Sequence, residues 1–285
     1  MNDTTYNCAV IGNPIAHSRS PEIHHAFAQQ FAMTVHYERI LATSEQFDST
    51  VSEFFAGGGR GLNITVPFKE RAFELAGAQV SPRARLAGAV NTLWQQEGLL
   101  HGCNTDGPGL VYDLQRLQAD PDGRRILLIG AGGAARGVVL PLLEAGATQL
   151  RIINRTAARA KALVEQVQQH LPTHAARLSA GTLTEVEGSW DIVINATSAS
   201  LDAQGPAHAP IHYAPEALAY DMVYGAHPTP FMHTAQAQGA ARCADGLGML
   251  VGQAALSFEI WFSRRPALPP VLDQLRQQLR NDATH

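Results

Sequence analysis

The sequence predicts an α/β protein built on parallel sheets. Two observations carry this. Short apolar runs alternate with helical patterns along most of the chain, and in the second half one such run leads straight into a glycine-rich loop that opens a helix. At 285 residues the chain has room for two domains, each with its own core. Hydrophobic residues make up 45% and charged residues 16%, an ordinary globular balance. The net charge of −4 comes without a long run of either sign, which argues against nucleic acid or an anionic membrane surface as partner. Cys8, Cys103 and Cys243 are odd in number and widely spaced, so a reducing cytoplasm is expected rather than a disulfide framework. The polar start MNDTTYN does not read as a signal peptide, and no apolar run approaches the ~18 residues of a membrane span.

Taken in order, Cys8–Ile11 reads as a strand and Pro21–Met33 as a helix, with Ser20 as its N-cap and Pro21 at the first position. Val35–Ile40 reads as strand, Glu45–Phe55 as helix, and Gly61–Val66 as strand after the GGGRG punctuation at 57–61. Ala89–Trp94 is a further strand, and Asp106–Leu117 carries apolar residues at helical spacing. The turn signal Asp120-Pro121-Asp122-Gly123 separates this half from the next. Three strands then alternate with helices: Arg125–Ile129, Leu150–Ile153 and the stretch beginning DIVIN at Asp191. Two helices, Gly246–Phe262 and Pro270–Arg280, close the chain.

The loop Gly130-Ala131-Gly132-Gly133-Ala134-Ala135 fits G-x-G-x-x-A between a strand and a helix of roughly Ala134–Ala145. In that setting the glycines allow a tight turn and bring backbone N–H groups to a pyrophosphate at a helix N-terminus. Without a ligand it would be only a glycine-rich turn. An NAD site usually places an acid at the end of the next strand to bind the ribose 2′-OH. Here Asn154-Arg155-Thr156 stands there, with Arg159 one turn on. Two guanidiniums suit a 2′-phosphate, and cations at a helix start are otherwise mildly unfavourable, so NADP is the expected cofactor. Thr197 and Ser198, after the DIVINA strand, either face the nicotinamide side or only begin a turn.

In the first half, Ser18 and Ser20 at a helix start offer two hydroxyls beside orphan N–H groups, a fit for a carboxylate. Taken alone, Ser20 reads as a cap, and Asp106 likewise. Accumulation changes the balance: Asn63, Thr65, Lys69, Asn91 and Asp106 all fall at strand ends or in the loops after them, where an open α/β sheet gathers its ligands. Polar donors with one lysine and one carboxylate suit a polyhydroxylated acid. His170 and His174 have the i, i+4 spacing of metal ligands, as do His208 and His212, but Pro172 and Pro210 interrupt them, and no metal is expected.

With these residues in hand, the chain closely resembles bacterial shikimate dehydrogenases. The matching segments are GNPIAHSRSP (12–21), NITVPFK (63–69), AGAVNT (87–92), NTDG (104–107), GAGGAARG (130–137), NRT (154–156), INATS (194–198), DMVY (221–224) and ADGLGMLVGQAA (244–255). The resemblance implies NADP-dependent, reversible reduction of 3-dehydroshikimate to shikimate, in aromatic amino-acid biosynthesis. It implies a substrate domain of residues 1–105 and about 243–285, a Rossmann NADP-binding domain of 106–242, and an active site in the cleft between them. Carried over, Ser18 and Ser20 hold the substrate carboxylate. Asn63, Thr65, Asn91, Asp106 and Gln253 bind ring hydroxyls with Tyr224 beside them, and Lys69 and Asp106 form the catalytic pair. Gly130 to Ala135, Asn154, Arg155, Thr156 and Arg159 bind NADP, with Thr197, Met222, Gly246 and Met249 near the nicotinamide. The partners implied are the small-molecule substrate and, as candidate assembly, a homodimer. Two departures stand out. Cys103 occupies a position that is often acidic, and Ala199-Ser200-Leu201 replaces a turn that usually holds a glycine, so the 199–209 loop receives no ligand.

As negative charge develops on the carbonyl oxygen during reduction, a protonated lysine supplies both a positive charge and a proton. Three rivals stand beside this reading. One is a quinate/shikimate dehydrogenase with broader substrate or cofactor use, which the serine pair does not exclude. Another is a non-catalytic NADP-binding sensor, which predicts damage at Lys69 or Asp106, and both are intact. The third is a folate-type dehydrogenase of similar build, which should lack the serine pair.

Overall fold

The computed structural model describes residues 4–197 and 209–283. The chain divides into two compact units, Met1–Thr105 with Val251–Leu275, and Asp106–Leu250 with Arg276–His285. The elements of the first stretch are β1 (Thr5–Gly12), α1 (Ser20–Gln29), β2 (Thr34–Leu41), α2 (Phe47–Ala56), β3 (Gly61–Ile64), α3 (Lys69–Ala76), α4 (Pro82–Ala87), β4 (Thr92–Gln96) and β5 (Leu99–Cys103). The second stretch holds α5 (Asp106–Arg116), β6 (Arg125–Ile129), α6 (Gly133–Glu144), β7 (Gln149–Ile153), α7 (Ala157–His170), β8 (Leu178–Gly181), β9 (Ser189–Asn195), β10 (His212–Asp221), α8 (Pro230–Ala237) and β11 (Arg242–Asp245). α9 (Leu247–Phe262) starts in the second unit and ends in the first, and α10 (Pro269–Asp282) crosses in the other direction. The return to the first unit, expected near residue 243, falls at Val251 here, because β11 pairs with β10 in the second unit's sheet.

The first unit's sheet has the order β2-β1-β3-β4-β5. β1 pairs with β2 and β3 in parallel, but β4 runs against β3 and β5 against β4. Beside the expected parallel pairing, the sheet therefore carries an antiparallel edge. β4 and β5 are a hairpin whose two loop residues, Glu97 and Gly98, both have positive φ (52° and 76°), the mirror-type turn that matches strand twist. The strand expected over Ala89–Trp94 begins only at Thr92. Ala9, Ile11, Leu62 and Ile64 of the sheet pack on Phe47, Val51 and Phe55 of α2 and on Ala72 and Ala76 of α3.

A second core region joins α1 to α9 through rings. The imidazole of His24 stacks on Tyr37 at 4.5 Å and on Trp261 at 5.2 Å, and Phe27 meets Phe258 edge-on at 5.8 Å. His24 is 1% exposed and neither ring nitrogen is hydrogen-bonded. Burial pushes its pKa down to about 3; the Asn63 side chain, near but without hydrogen-bond geometry, pulls the other way. The folded chain therefore keeps His24 neutral, while the unfolded chain protonates it near 6.5. Between those values the unfolded state binds the extra proton, so His24 costs stability as pH falls below about 6.5 and is neutral above it. Relative to a His24→Phe variant, wild type is expected to lose about 2 kcal/mol between pH 7 and pH 5, at 1.36 kcal/mol per unit. Urea unfolding at the two pH values checks this, and an equal pH dependence in both proteins would contradict it.

In the second unit all six strands are parallel, in the order β11-β10-β9-β6-β7-β8. Succession runs outward from β6 in both directions, so the strand order reverses between β6 and β9, the place where doubly wound sheets bind nucleotides. Three strands of the six were expected. β8 and β11 are only four residues each, and β10 is broken by a register shift between Tyr213 and Leu218 with Glu216 at φ 64°, so neither length nor alternation marked them.

Candidate active site

In the first unit the expected substrate residues gather at one edge of the sheet. β1 and β3 end there, and because β4 is antiparallel its beginning lies there too. The register sets Asn63 against Thr92 and Thr92 against Cys103, which brings Asn91 and Thr105 to the same edge.

Asn63 and Asn91 are 5% and 2% exposed, so their amides must find partners inside the protein. Tyr37 Oη donates to Asn63 Oδ1 at 2.8 Å, and Asn63 Nδ2 donates to Ser257 Oγ at 3.0 Å and to the Asn91 carbonyl at 3.2 Å. Both amide protons are thus engaged, and Asn63 offers a substrate an acceptor rather than the donor that its residue type suggests. Asn91 Oδ1 accepts from Thr105 N (2.8 Å) and Thr92 Oγ1 (2.9 Å), while its Nδ2 donates to Thr105 Oγ1 (2.9 Å) and Gln253 Oε1 (3.2 Å). Ser257, fully buried on α9, lies 2.7 Å from the Thr92 hydroxyl.

Ser20 is the first residue of α1 and not its cap; Arg19 holds the cap position and makes no side-chain cap bond. Ser18 Oγ accepts from Ser20 N at 3.3 Å and lies 3.2 Å from Ser20 Oγ, so the two hydroxyls are adjacent at the helix start. β3 stops at Ile64, two residues earlier than expected. Thr65 N still reaches Ile11 O (2.9 Å), and the chain then turns through Val66-Pro67 to Phe68, whose N–H returns to Thr65 O at 2.9 Å. Lys69, half-buried, is the first residue of α3, and its carbonyl accepts from Val90 N at 2.8 Å. A cation gains nothing from the helix dipole there, so local helix energetics do not explain it.

In the second unit Asp106 opens α5 as its first residue rather than as its cap. The next residue, Gly107, packs directly on α6: a Cβ there would sit 2.3 Å from Gly137 O and 2.4 Å from Pro141 Cγ. Only glycine allows that approach, and it sets where Asp106 stands. Gly130, at φ 114°, follows β6 beside the end of β9, where a Cβ would meet Thr197 Cγ2 at 3.1 Å and Ala196 O at 3.2 Å. The N-cap of α6 is Gly132, with no side-chain bond, and Gly132, Gly133 and Ala134 are exposed while Ala131 is half-buried and Ala135 buried. A helix N-terminus backed by an open glycine loop fits a pyrophosphate. At the end of β7, Asn154 Nδ2 donates to Thr156 O at 3.0 Å, and Arg155, Thr156 and Arg159 are exposed at the start of α7.

Thr197 Oγ1 donates to Asn195 Oδ1 at 2.7 Å, so its hydroxyl serves the turn; Ser198 lies outside the described residues. Asn195 Nδ2 in turn reaches the fully buried Asp221 at 3.0 Å. Asp221 also accepts from Val223 N (3.1 Å) and Thr229 Oγ1 (2.6 Å), anchoring the turn that carries the half-buried Met222 and Tyr224. Gly246 N donates to Val223 O at 3.1 Å, and Gly246 and Met249 are buried. Among the described residues no group of three His, Cys, Asp or Glu is placed to hold a metal ion; α7 ends at His170 and a 3₁₀ turn, Pro172–Arg177, carries His174, while His208 lies outside the described residues.

Over 271 residues the chain is 58% identical to the shikimate dehydrogenase (NADP(+)) of Bordetella avium, covering 95% of both proteins. The chain belongs to the shikimate dehydrogenase family. Family patterns match in three places: the shikimate dehydrogenase substrate binding domain over residues 10–93, shikimate / quinate 5-dehydrogenase over 114–205, and the shikimate 5′-dehydrogenase C-terminal domain over 246–276. Among solved structures, an Ael1 enzyme from Pseudomonas putida matches with a TM-score of 0.86 at 45% identity, covering 95% of this chain and 98% of that one. A shikimate 5-dehydrogenase from Thermus thermophilus, solved with NADP(H) and shikimate, matches with a TM-score of 0.82 at 32% identity, covering 96% and 99%. Within this shikimate dehydrogenase fold, four polar residues that bind the expected ligating side chains escaped the sequence reading: Tyr37, Thr92, Thr105 and Ser257. Tyr37 carried a signal, since it alternates with Val35 on the buried face of β2. The hydroxyl residues carried none, because nothing local distinguishes a network hydroxyl from a solvated one.

Proposed function

We propose that the chain is an NADP-dependent shikimate dehydrogenase that reversibly reduces 3-dehydroshikimate to shikimate in the shikimate pathway. The observation that carries this reading is the gathering, at one sheet edge, of the Ser18–Ser20 hydroxyl pair, the satisfied amide cluster of Asn63, Asn91 and Gln253, and Lys69. The paired hydroxyls at the start of α1 take the substrate carboxylate. Asn63 accepts from a ring hydroxyl through its remaining lone pair. Asn91 binds a hydroxyl by exchanging its 3.2 Å bond to Gln253, and Thr65 and Tyr224 complete the set.

The Gly130–Ala135 loop takes the pyrophosphate, and Asn154, Arg155, Thr156 and Arg159 take the 2′-phosphate side. Thr197, Met222, Gly246 and Met249 lie toward the nicotinamide. NADPH, when bound, supplies the hydride. Lys69 stabilises the charge that develops on the carbonyl oxygen and delivers the proton, and Asp106 orients the substrate hydroxyl. The three free cysteines fit the reducing cytoplasm in which we place this activity.

A four-way assay tests the reading: shikimate or quinate as substrate, NADP⁺ or NAD⁺ as oxidant. The expected result is turnover dominated by shikimate with NADP⁺. Comparable kcat/KM with quinate or with NAD⁺ would replace it by a broader quinate/shikimate dehydrogenase. No turnover in any arm, with NADP⁺ binding retained, would replace it by a sensor.

A further inference from the structure

One side chain given no role so far ties together three segments of the second unit. Arg276, one residue past the buried Leu275 of α10, grips Asp245 with two nitrogens: Nη1 donates to Oδ2 at 2.7 Å and Nη2 to Oδ1. The same Nη1 donates to the Gly225 carbonyl at 3.1 Å. Asp245 ends β11 and holds the first turn of α9 through Leu247 N at 3.2 Å, and its other oxygen lies 3.5 Å from Gly225 N. The Asp245 side chain is only 7% exposed, so this carboxylate depends on the partners it has.

The bidentate fork therefore joins α10, the Met222–Gly225 turn after β10 and the Asp245–Leu247 turn before α9. Met222 and Tyr224 lie on the first of these turns, and Gly246 on the second, bonded to Val223. Asp221 anchors the start of the Met222–Gly225 turn, and Asp245 and Arg276 hold its far end at Gly225.

We propose that Arg276 is a positioning residue for hydride transfer: by clamping Gly225 to Asp245 it keeps Met222, Tyr224 and Gly246 in one arrangement. The proposal rests on the reading that these three residues line the nicotinamide and substrate side. Arg276 is far in sequence from the phosphate-binding residues, so its loss separates alignment from affinity.

The test compares wild type, Arg276→Gln and Arg276→Lys with shikimate and NADP⁺, using shikimate deuterated at the carbon that is oxidised. For Arg276→Gln, kcat is expected to fall about 10- to 100-fold, the scale of a small misplacement of reacting groups. The isotope effect on kcat rises with it, while the dissociation constant of NADP⁺ stays within about threefold, a shift worth under 1 kcal/mol by the usual conversion. Arg276→Lys, which keeps one donor to Asp245, restores part of kcat. A lowered melting temperature with kcat and isotope effect both unchanged would make the pair a purely structural bridge and overturn the proposal. Should Arg276→Gln fail to fold, Arg276→Lys and the neutral pair Asp245→Asn/Arg276→Gln decide by the same two readouts. Wild type in the same assay keeps the questions apart, since its failure to turn over shikimate counts against the assigned reaction and not against the clamp.

Discussion

Replacing Lys69 by alanine is expected to lower kcat by about 10²- to 10⁴-fold, the range for a positioned acid or base. KM for shikimate should change far less. Lys69 opens α3, its backbone is pinned to Val90, and the same sheet edge carries the amide cluster. The variant removes a positive charge and a proton donor together, and both matter most when the carbonyl oxygen turns negative. An interaction stronger in the transition state than in the ground state shows itself in kcat, not in KM. The folded structure should survive, since Lys69 is half-buried at a helix start and Glu70 and Ala72 continue the helix unchanged. Steady-state kinetics in both directions decide the matter. A kcat near wild type would remove Lys69 from the chemistry.

Arg155→Ala should act on the other coordinate. We expect KM for NADPH to rise about 10- to 100-fold, the loss of charge-assisted hydrogen bonds worth about 1.5–3 kcal/mol. kcat at saturating NADPH should stay near wild type. Arg155 is exposed at the end of β7, where an acid would serve NAD, and Arg159 stands exposed on the first turn of α7. Since only the phosphorylated cofactor presents the group these guanidiniums grip, activity with NADH should hardly move. The measurement is the ratio of kcat/KM for the two cofactors in wild type and variant. An equal loss with both would refute the 2′-phosphate role. Adding Arg159→Ala should cost less than a second full step, since two forks on one phosphate are coupled.

The loops of the candidate site stand out in the sequence by residue types that gain nothing from their local structure: a lysine and two arginines at helix starts, two serines where one cap would do. The Rossmann half was legible from its glycine loop, set between short apolar strands and a helix. Direction was not. Whether the AVNT strand runs with or against its neighbour depends on the two-residue turn at Glu97-Gly98, and a Glu-Gly pair is a weaker hairpin signal than Asn-Gly. The caps also misled. Ser20 and Asp106 are favoured cap types, yet each lies one residue inside its helix. A cap side chain satisfies one orphan N–H, while burial of the whole segment sets the register, and burial is decided by residues far away in sequence. The network of Tyr37, Thr92, Thr105 and Ser257 was invisible for the same reason: apart from the local bonds of Thr92 to Asn91 and of Ser257 to Gln253, its partners lie 13 to 194 residues apart along the chain.

That network has a consequence for how this protein can change. Its hydroxyls and amides are buried and bonded to one another, so altering one member strands another without water to receive it. Variation at Asn63, Thr92, Thr105 and Ser257 should therefore arrive in compensating sets, with single steps passing through poorly folded intermediates. Ser18 and the exposed Arg155 and Arg159 are under no such constraint. On the proposed assignment, a lineage drifting toward a new substrate or cofactor would be free to vary these exposed or half-buried positions one residue at a time, while the buried amides stay fixed.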